Sequence, residues 1–148
     1  MRRREFLAVA ATVAMRPATG FAAAPSVILH KDPNCGCCSS WGDAFSKAVF
    51  SVRTVEEPDM DQIKERLRVP ASIRACHTAE IEGYFIEGHV PIDAVKRLLG
   101  ERPPLAGLAV AGMPLGSLGM GGSPEPYDVI AIPRDGGEMY VYQSFKPD

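Results

Sequence analysis

The stretch that most constrains this chain is Asn34-Cys35-Gly36-Cys37-Cys38-Ser39-Ser40-Trp41. Three of the four cysteines fall within four residues. Val27-Ile28-Leu29 just before them is a short apolar run that reads as a strand. Trp41, Ala44, Phe45 and Ala48 just after them recur at helical spacing. The cysteines therefore sit where a strand turns into a helix. Backbone N–H groups at a helix N-terminus favour negative charge and lower thiol pKa values. Thiolates gathered there make a soft, electron-rich site that suits a soft metal or redox chemistry.

The first 24 residues set the compartment in which those thiols must work. Arg2-Arg3-Arg4 is a basic start, Phe6 to Met15 an apolar segment too short to span a bilayer, and Gly20 to Ala24 a small-residue end. Residues 1–24 thus read as an export signal, with cleavage after Ala22 fitting better than after Ala24, and residues 25–148 as the mature domain. Arg3-Arg4-Glu5-Phe6-Leu7 matches a twin-arginine core, although an ordinary secretory signal with three arginines reads similarly. Either route leads to the periplasm, an oxidising compartment where free cysteines need a reason to exist. Without the signal the chain carries 12 basic and 17 acidic side chains. A mildly acidic domain with no Lys/Arg cluster argues against nucleic acid as a partner. Nothing after residue 24 approaches the roughly 18 apolar residues of a membrane span.

The chain as a whole is 46% apolar and 23% charged, and its mature segment is long enough to build one globular core. Ser26 to Lys31 is expected to be the first strand, Cys38 to about Val49 the first helix, and Ser51 to Val55 the second strand. Asp59 is a plausible N-cap for a helix through Met60, Ile63 and Leu67 that Pro70 stops. Strand, helix, strand, helix implies a parallel pair. Ala79-Glu80-Ile81 and Tyr84-Phe85-Ile86 read as a strand or as a hairpin turning at Gly83, and Ile92, Val95, Leu98 and Leu99 mark a third helix. This α/β order is that of a thioredoxin-like sheet flanked by helices. The glycines and prolines from Gly107 to Pro126 suggest a loop without regular elements, of a length that is more often functional. Met113 and Met120 punctuate it. Val129 to Ile132 and Met139 to Tyr142 read as a C-terminal hairpin closed by Asp135-Gly136-Gly137.

Cys35 and Cys38 form a C-x-x-C with Cys37 inside it, which fits chelation or thioredoxin-type redox chemistry. The inner Cys37 weakens a purely redox reading, because it would compete for the mixed disulfide. Cys76, at the entry to the third strand, would face the C-x-x-C in a thioredoxin-like layout. Four sulfurs around one point suit Cu(I) or Zn²⁺. His77 and His89 are candidate nitrogen ligands beside them, although each alone reads as a structural histidine. His30 ends the first strand and is a weaker candidate. Met113 and Met120 read either as thioether ligands or as apolar filling under a loop. Trp41 is expected to pack the first helix onto the sheet. A structural disulfide between two of these cysteines also stays open.

The order of these pieces resembles the CopG-type copper-resistance family of exported bacterial proteins. The resemblance runs through Lys31-Asp32-Pro33-Asn34-Cys35-Gly36-Cys37-Cys38 with Trp41, Val69-Pro70, Ala75-Cys76-His77-Thr78, and Gly83-Tyr84 through Glu87-Gly88-His89-Val90-Pro91. It continues in Gly112-Met113-Pro114, Gly116-Ser117-Leu118-Gly119-Met120 and Tyr127-Asp128-Val129. The chain departs from it at Ala111 and Leu118, where prolines are usual. It implies a thioredoxin-like protein that holds copper, as single Cu(I) ions or a multinuclear cluster, in copper tolerance. Carried over, the ligands are Cys35, Cys37, Cys38 and Cys76, with His77, His89, Met113 and Met120 beside them. The implied partners are copper ions and another periplasmic copper-handling or redox protein. Two further readings compete: a thiol–disulfide oxidoreductase with Cys35 as nucleophile and Cys38 as resolving thiol, and a structural zinc or disulfide domain.

Overall fold

The computed structural model describes residues 23–147. All but the last two residues of the export signal therefore lie outside the described residues. The described chain is α/β: seven strands form one mixed sheet, with three helices packed on it. The elements run β1 (Ser26–Lys31), α1 (Gly36–Lys47), β2 (Ser51–Glu56), α2 (Met60–Arg66), a 3-10 turn (Ala71–Ile73), β3 (His77–Ile81) and β4 (Tyr84–Glu87). Then come α3 (Ile92–Glu101), β5 (Leu105–Ala109), β6 (Tyr127–Pro133) and β7 (Tyr140–Phe145). The spatial order is β2-β1-β3-β4-β5-β6-β7. β1 pairs with β2 in parallel, as a strand–helix–strand unit requires, and with β3 antiparallel. This first part fits a thioredoxin-like sheet; β5, β6 and β7 extend it on one side.

Alternation along the strands divides the interior into two layers. Val27, Leu29, Ala79, Ile81 and Ile86 face α1 and α3, whose Trp41, Phe45, Ala94, Val95 and Leu98 complete the larger core. Phe85, Ala109 and Ile132 face the other way, against Val69 and Ile73 beyond α2. Asp59 caps α2 as its spacing suggests, its carboxylate accepting from the Asp61 N–H at 3.1 Å.

Two expectations need correction. α1 begins at Gly36, two residues earlier than the hydrophobic pattern suggested, with Cys35 as its N-cap residue. Cys37 and Cys38 therefore lie in its first turn. The second concerns Gly107 to Pro126, which is not structureless from its start. Leu105–Ala109 is β5, a central strand paired in parallel with β4 and antiparallel with β6. Glycine weakens strand propensity, yet at Gly107 it permits close backbone approach. A Cβ at Gly107 would collide with the carbonyl oxygen and ring of Phe85. The remaining segment, 110–126, has no helix or strand but is internally bonded. Gly116 N–H donates to Gly121 O (3.2 Å), Met120 N–H to Ser117 O (2.8 Å) and Glu125 N–H to Leu115 O (3.0 Å).

The Phe85 contact gives a direct check on β5. Gly107→Ala is expected to lower stability by about 1–3 kcal/mol through overpacking. Gly121→Ala, whose Cβ would meet nothing within 4 Å, should change it little. Urea unfolding of both variants would measure the difference, and equal effects would contradict the strand packing.

Candidate metal centre

The site is built where β1 ends and β3 begins. Lys31 and His77 are register partners, so the chain leaving β1 and the chain entering β3 meet at one end of the sheet. Leaving β1, the chain turns tightly: Asn34 N–H bonds the Asp32 carboxylate at 2.7 Å and Cys35 N–H the Asp32 carbonyl at 3.0 Å. α1 then starts with the cysteines in its first turn. Cys76 arrives from the other side, one residue before β3. The four Sγ atoms of Cys35, Cys37, Cys38 and Cys76 all lie within 4.8 Å of one another. Cys35 and Cys37 sulfurs are 3.5 Å apart. Cys35 and Cys38 are joined as a disulfide, while Cys37 and Cys76 are free thiols. Cys38 is fully buried; the other three are partly accessible.

A second group overlaps the first at Cys76. Its sulfur lies 3.1 Å from His89 Nε2 and 3.4 Å from His77 Nδ1. Each of Cys76, His77 and His89 offers an atom within 4.8 Å of the others'. Both rings are buried. Trp41 forms their wall: its indole lies 4.7 Å from the His77 ring and stacks on Phe45 at 3.9 Å. Its Nε1–H donates to the Val90 carbonyl at 3.0 Å, one residue beyond His89. Trp41 thus packs α1 onto the sheet, as its spacing implied, and also shapes the site.

Burial sets the protonation of these groups. The Cys76 thiol is pushed up to about 12, first by burial and then by the neighbouring Cys37. At neutral pH it keeps its proton until a metal displaces it, so binding there releases a proton. His77 is pushed down to about 3 by burial, with His89 and Lys64 adding to the effect. His89 is also lowered by burial, with the Leu118 backbone working against it. Neutral imidazoles keep a lone pair available to a metal. Among the described residues His77 Nε2 has no hydrogen-bond partner, and the Leu118 backbone approaches His89 without a well-formed bond to its Nδ1. Such unpaired buried atoms cost stability and call for a functional explanation. Thiols with neutral imidazoles form a soft donor set, which fits Cu(I) or Zn²⁺.

The glycine-rich segment lies against this site through Gly119. Its φ is +89°, and a Cβ there would stand 2.8 Å from Cys37 O and 2.9 Å from Trp41 N. Only glycine lets the loop approach the start of α1 so closely. Met120 follows it, half-buried, whereas Met113 is 52% exposed. His30 lies apart from the cysteines, with Nδ1 2.8 Å from Glu57 and Nε2 2.9 Å from Glu80. Composition and spacing overlooked a buried polar group beside the site, in which Lys64 meets Glu87 and Thr78. The signal available was Glu87 itself, a charge ending the apolar run Tyr84-Phe85-Ile86.

Comparison with known proteins adds a family to this geometry. A solved structure titled copper resistance protein CopG, form 2, is 40% identical, with a TM-score of 0.78 over 83% of this chain and 99% of its own. Form 1 of the same title is likewise 40% identical, with a TM-score of 0.76 over 82% and 98%. The chain belongs to the CopG copper-resistance family. A family description, protein of unknown function DUF411, also matches residues 73–120, the span from Ile73 through Cys76, His77 and His89 to Met120. No curated protein matches the chain. No helix among the described residues is long and apolar enough to cross a membrane.

The buried histidines make the metal-free fold acid-sensitive. His77 has a folded pKa near 3 against 6.5 when free, so the unfolded state binds more protons between those values. The stability is fully present above pH 6.5 and is lost as pH falls toward 3, on the order of a few kcal/mol. Urea unfolding of metal-free protein across that window should show the loss, and His77→Asn should flatten it. An unchanged slope in the variant would show that His77 does not carry the effect.

Proposed function

We propose that this is an exported, periplasmic protein that binds Cu(I) as cargo, for copper tolerance or handling. The observation that supports the reading is the convergence of four sulfurs within 4.8 Å of one another, with two imidazoles grouped on one of them, Cys76. Forty per cent identity to proteins titled copper resistance protein supports copper over other soft metals. The ligands are Cys35, Cys37, Cys38 and Cys76, with His77 and His89 closing the buried side. Met113 and Met120, on the loop that meets α1, add thioether donors, which favour Cu(I) over zinc. Four thiolates can neutralise several Cu(I) ions, so a bridged cluster is the form proposed. Copper ions are the partner, exchanged with another periplasmic copper-handling or redox protein. The signal over residues 1–24 is taken as twin-arginine, which would let the domain fold with its thiols reduced before export.

The Cys35–Cys38 disulfide supports a second reading. A thiol–disulfide oxidoreductase would place its redox pair at this helix N-terminus. Against it, Cys76 and its histidines stand where such an enzyme needs no thiol. The same disulfide gives the copper reading a condition: only the reduced form offers all four sulfurs.

The deciding measurement is an anaerobic Cu(I) titration of reduced mature protein, with elemental analysis and thiol counting. More than one copper per chain, with the thiols protected from alkylation, is the expected result. Cys37→Ser should lower the stoichiometry, and so should oxidation to the Cys35–Cys38 disulfide. Weak copper binding with rapid reduction of a substrate disulfide would instead favour the oxidoreductase. One tightly held zinc would favour a structural site.

A further inference from the structure

On the face of the sheet covered by α2, behind the cysteines, lies a closed polar cluster that metal ligation does not use. Lys64 of α2, Thr78 of β3 and Glu87 of β4 are all buried. Lys64 Nζ donates to Glu87 Oε1 at 2.5 Å and to Thr78 Oγ1 at 2.9 Å. Thr78 donates in turn to Glu87 Oε2 at 2.6 Å. The backbone N–H of Ala75 also donates to Glu87 Oε1, at 2.5 Å. Both carboxylate oxygens are thereby occupied.

A buried ion pair contributes little net stability, since desolvation of both charges offsets their attraction, and apolar residues of similar size often do as well. Its location suggests why it is here. Ala75 is the residue before Cys76, and Glu87 stands two residues before His89. Thr78 and Glu87 are register partners on adjacent strands. One carboxylate therefore ties together the two segments that carry Cys76, His77 and His89. Two backbone bonds continue the tie: Gly88 N–H to His77 O at 2.9 Å, and Val110 N–H to Glu87 O at 3.0 Å. The Ala75 bond thus anchors the chain just before the sulfur, as the His77–Gly88 bond anchors it just after.

We propose that Glu87, oriented by Lys64 and Thr78, is a positioning residue that fixes Cys76 against Cys37 and His89 through its bond to the Ala75 N–H. The inference rests on the metal-binding reading for its purpose but not for its test. Outer partners that orient ligands typically change metal affinity by 10–100-fold when removed.

Paired substitutions avoid leaving one buried charge unpaired. K64M/E87Q removes both charges while the amide can still accept from Ala75 and donate to Thr78. K64M/E87L removes the acceptor as well. In reduced, metal-free protein, iodoacetamide should alkylate Cys76 faster in K64M/E87L than in wild type, with Cys37 unchanged. K64M/E87Q should stay close to wild type. Cu(I) affinity, by competition with a chromophoric chelator, should fall about 10–100-fold in K64M/E87L and within threefold in K64M/E87Q. Wild-type Cys76 reactivity in folded K64M/E87L would overturn the proposal, as would equal losses in the two double variants. Amide hydrogen exchange on the wild-type chain gives a check that needs no variant to fold. Ala75 should be as protected as the paired amides of β3, and exchange at the rate of an exposed loop would overturn the bond on which the proposal stands. Alkylation and exchange decide it whether or not wild type binds copper.

Discussion

The site depends on one constraint, the antiparallel pairing of β1 with β3. Because Lys31 stands opposite His77, the exit of one strand and the entry of the other share one end of the sheet. The parallel β1–β2 pair adds the second half of the constraint: a parallel connection needs a crossover, and α1 supplies it. The crossover helix must begin where β1 stops. Cysteines at the start of α1 are thereby delivered to Cys76 at the start of β3, although some forty residues of chain separate them. Trp41 holds the arrangement closed, buried between Phe45, His77 and the carbonyl of Val90.

The surroundings of the sulfurs favour chemistry over stability. A buried neutral histidine with an unpaired nitrogen costs the metal-free fold something. Unsatisfied buried groups of this kind call for a functional explanation. The glycine-rich segment contributes by proximity. With no side chain at Gly119 it lies directly on the first turn of α1, and its hydrogen bonds shape it without a helix or strand. The two methionines differ in consequence: Met120 is drawn in beside Gly119, while Met113 remains at the surface.

The opposite face of the sheet shows a different use of polarity. There His30 lies between Glu57 and Glu80, and Arg66 bonds Glu80 near the surface. Deeper in, Lys64, Thr78 and Glu87 hydrogen-bond one another. Hydrogen-bonded groups in a low-dielectric interior hold geometry more firmly than apolar contacts, because any displacement leaves a charge unpaired. The residues that carry sulfur and imidazole on one face are thus braced by charges on the other.

Local chemistry was readable from the chain itself. The C-x-C-C run between a β-type and a helical pattern placed thiols at a helix N-terminus, Asp59 announced a cap, and Gly83 a hairpin turn, because each signal acts over a few residues. Apolar alternation and order were enough for the α/β sheet with β1, β2, β3 and β4. What failed depended on distant neighbours. Gly107 looked like a loop residue, and only its contact with Phe85 explains a glycine in a central strand. Lys64 and Glu87 are ordinary surface residue types until α2 folds over β3 and β4 and buries them together. The sequence by itself determined which donor atoms were available and which elements would carry them. Only tertiary structure decided which of them meet, since strand pairing and burial depend on partners far away in the chain.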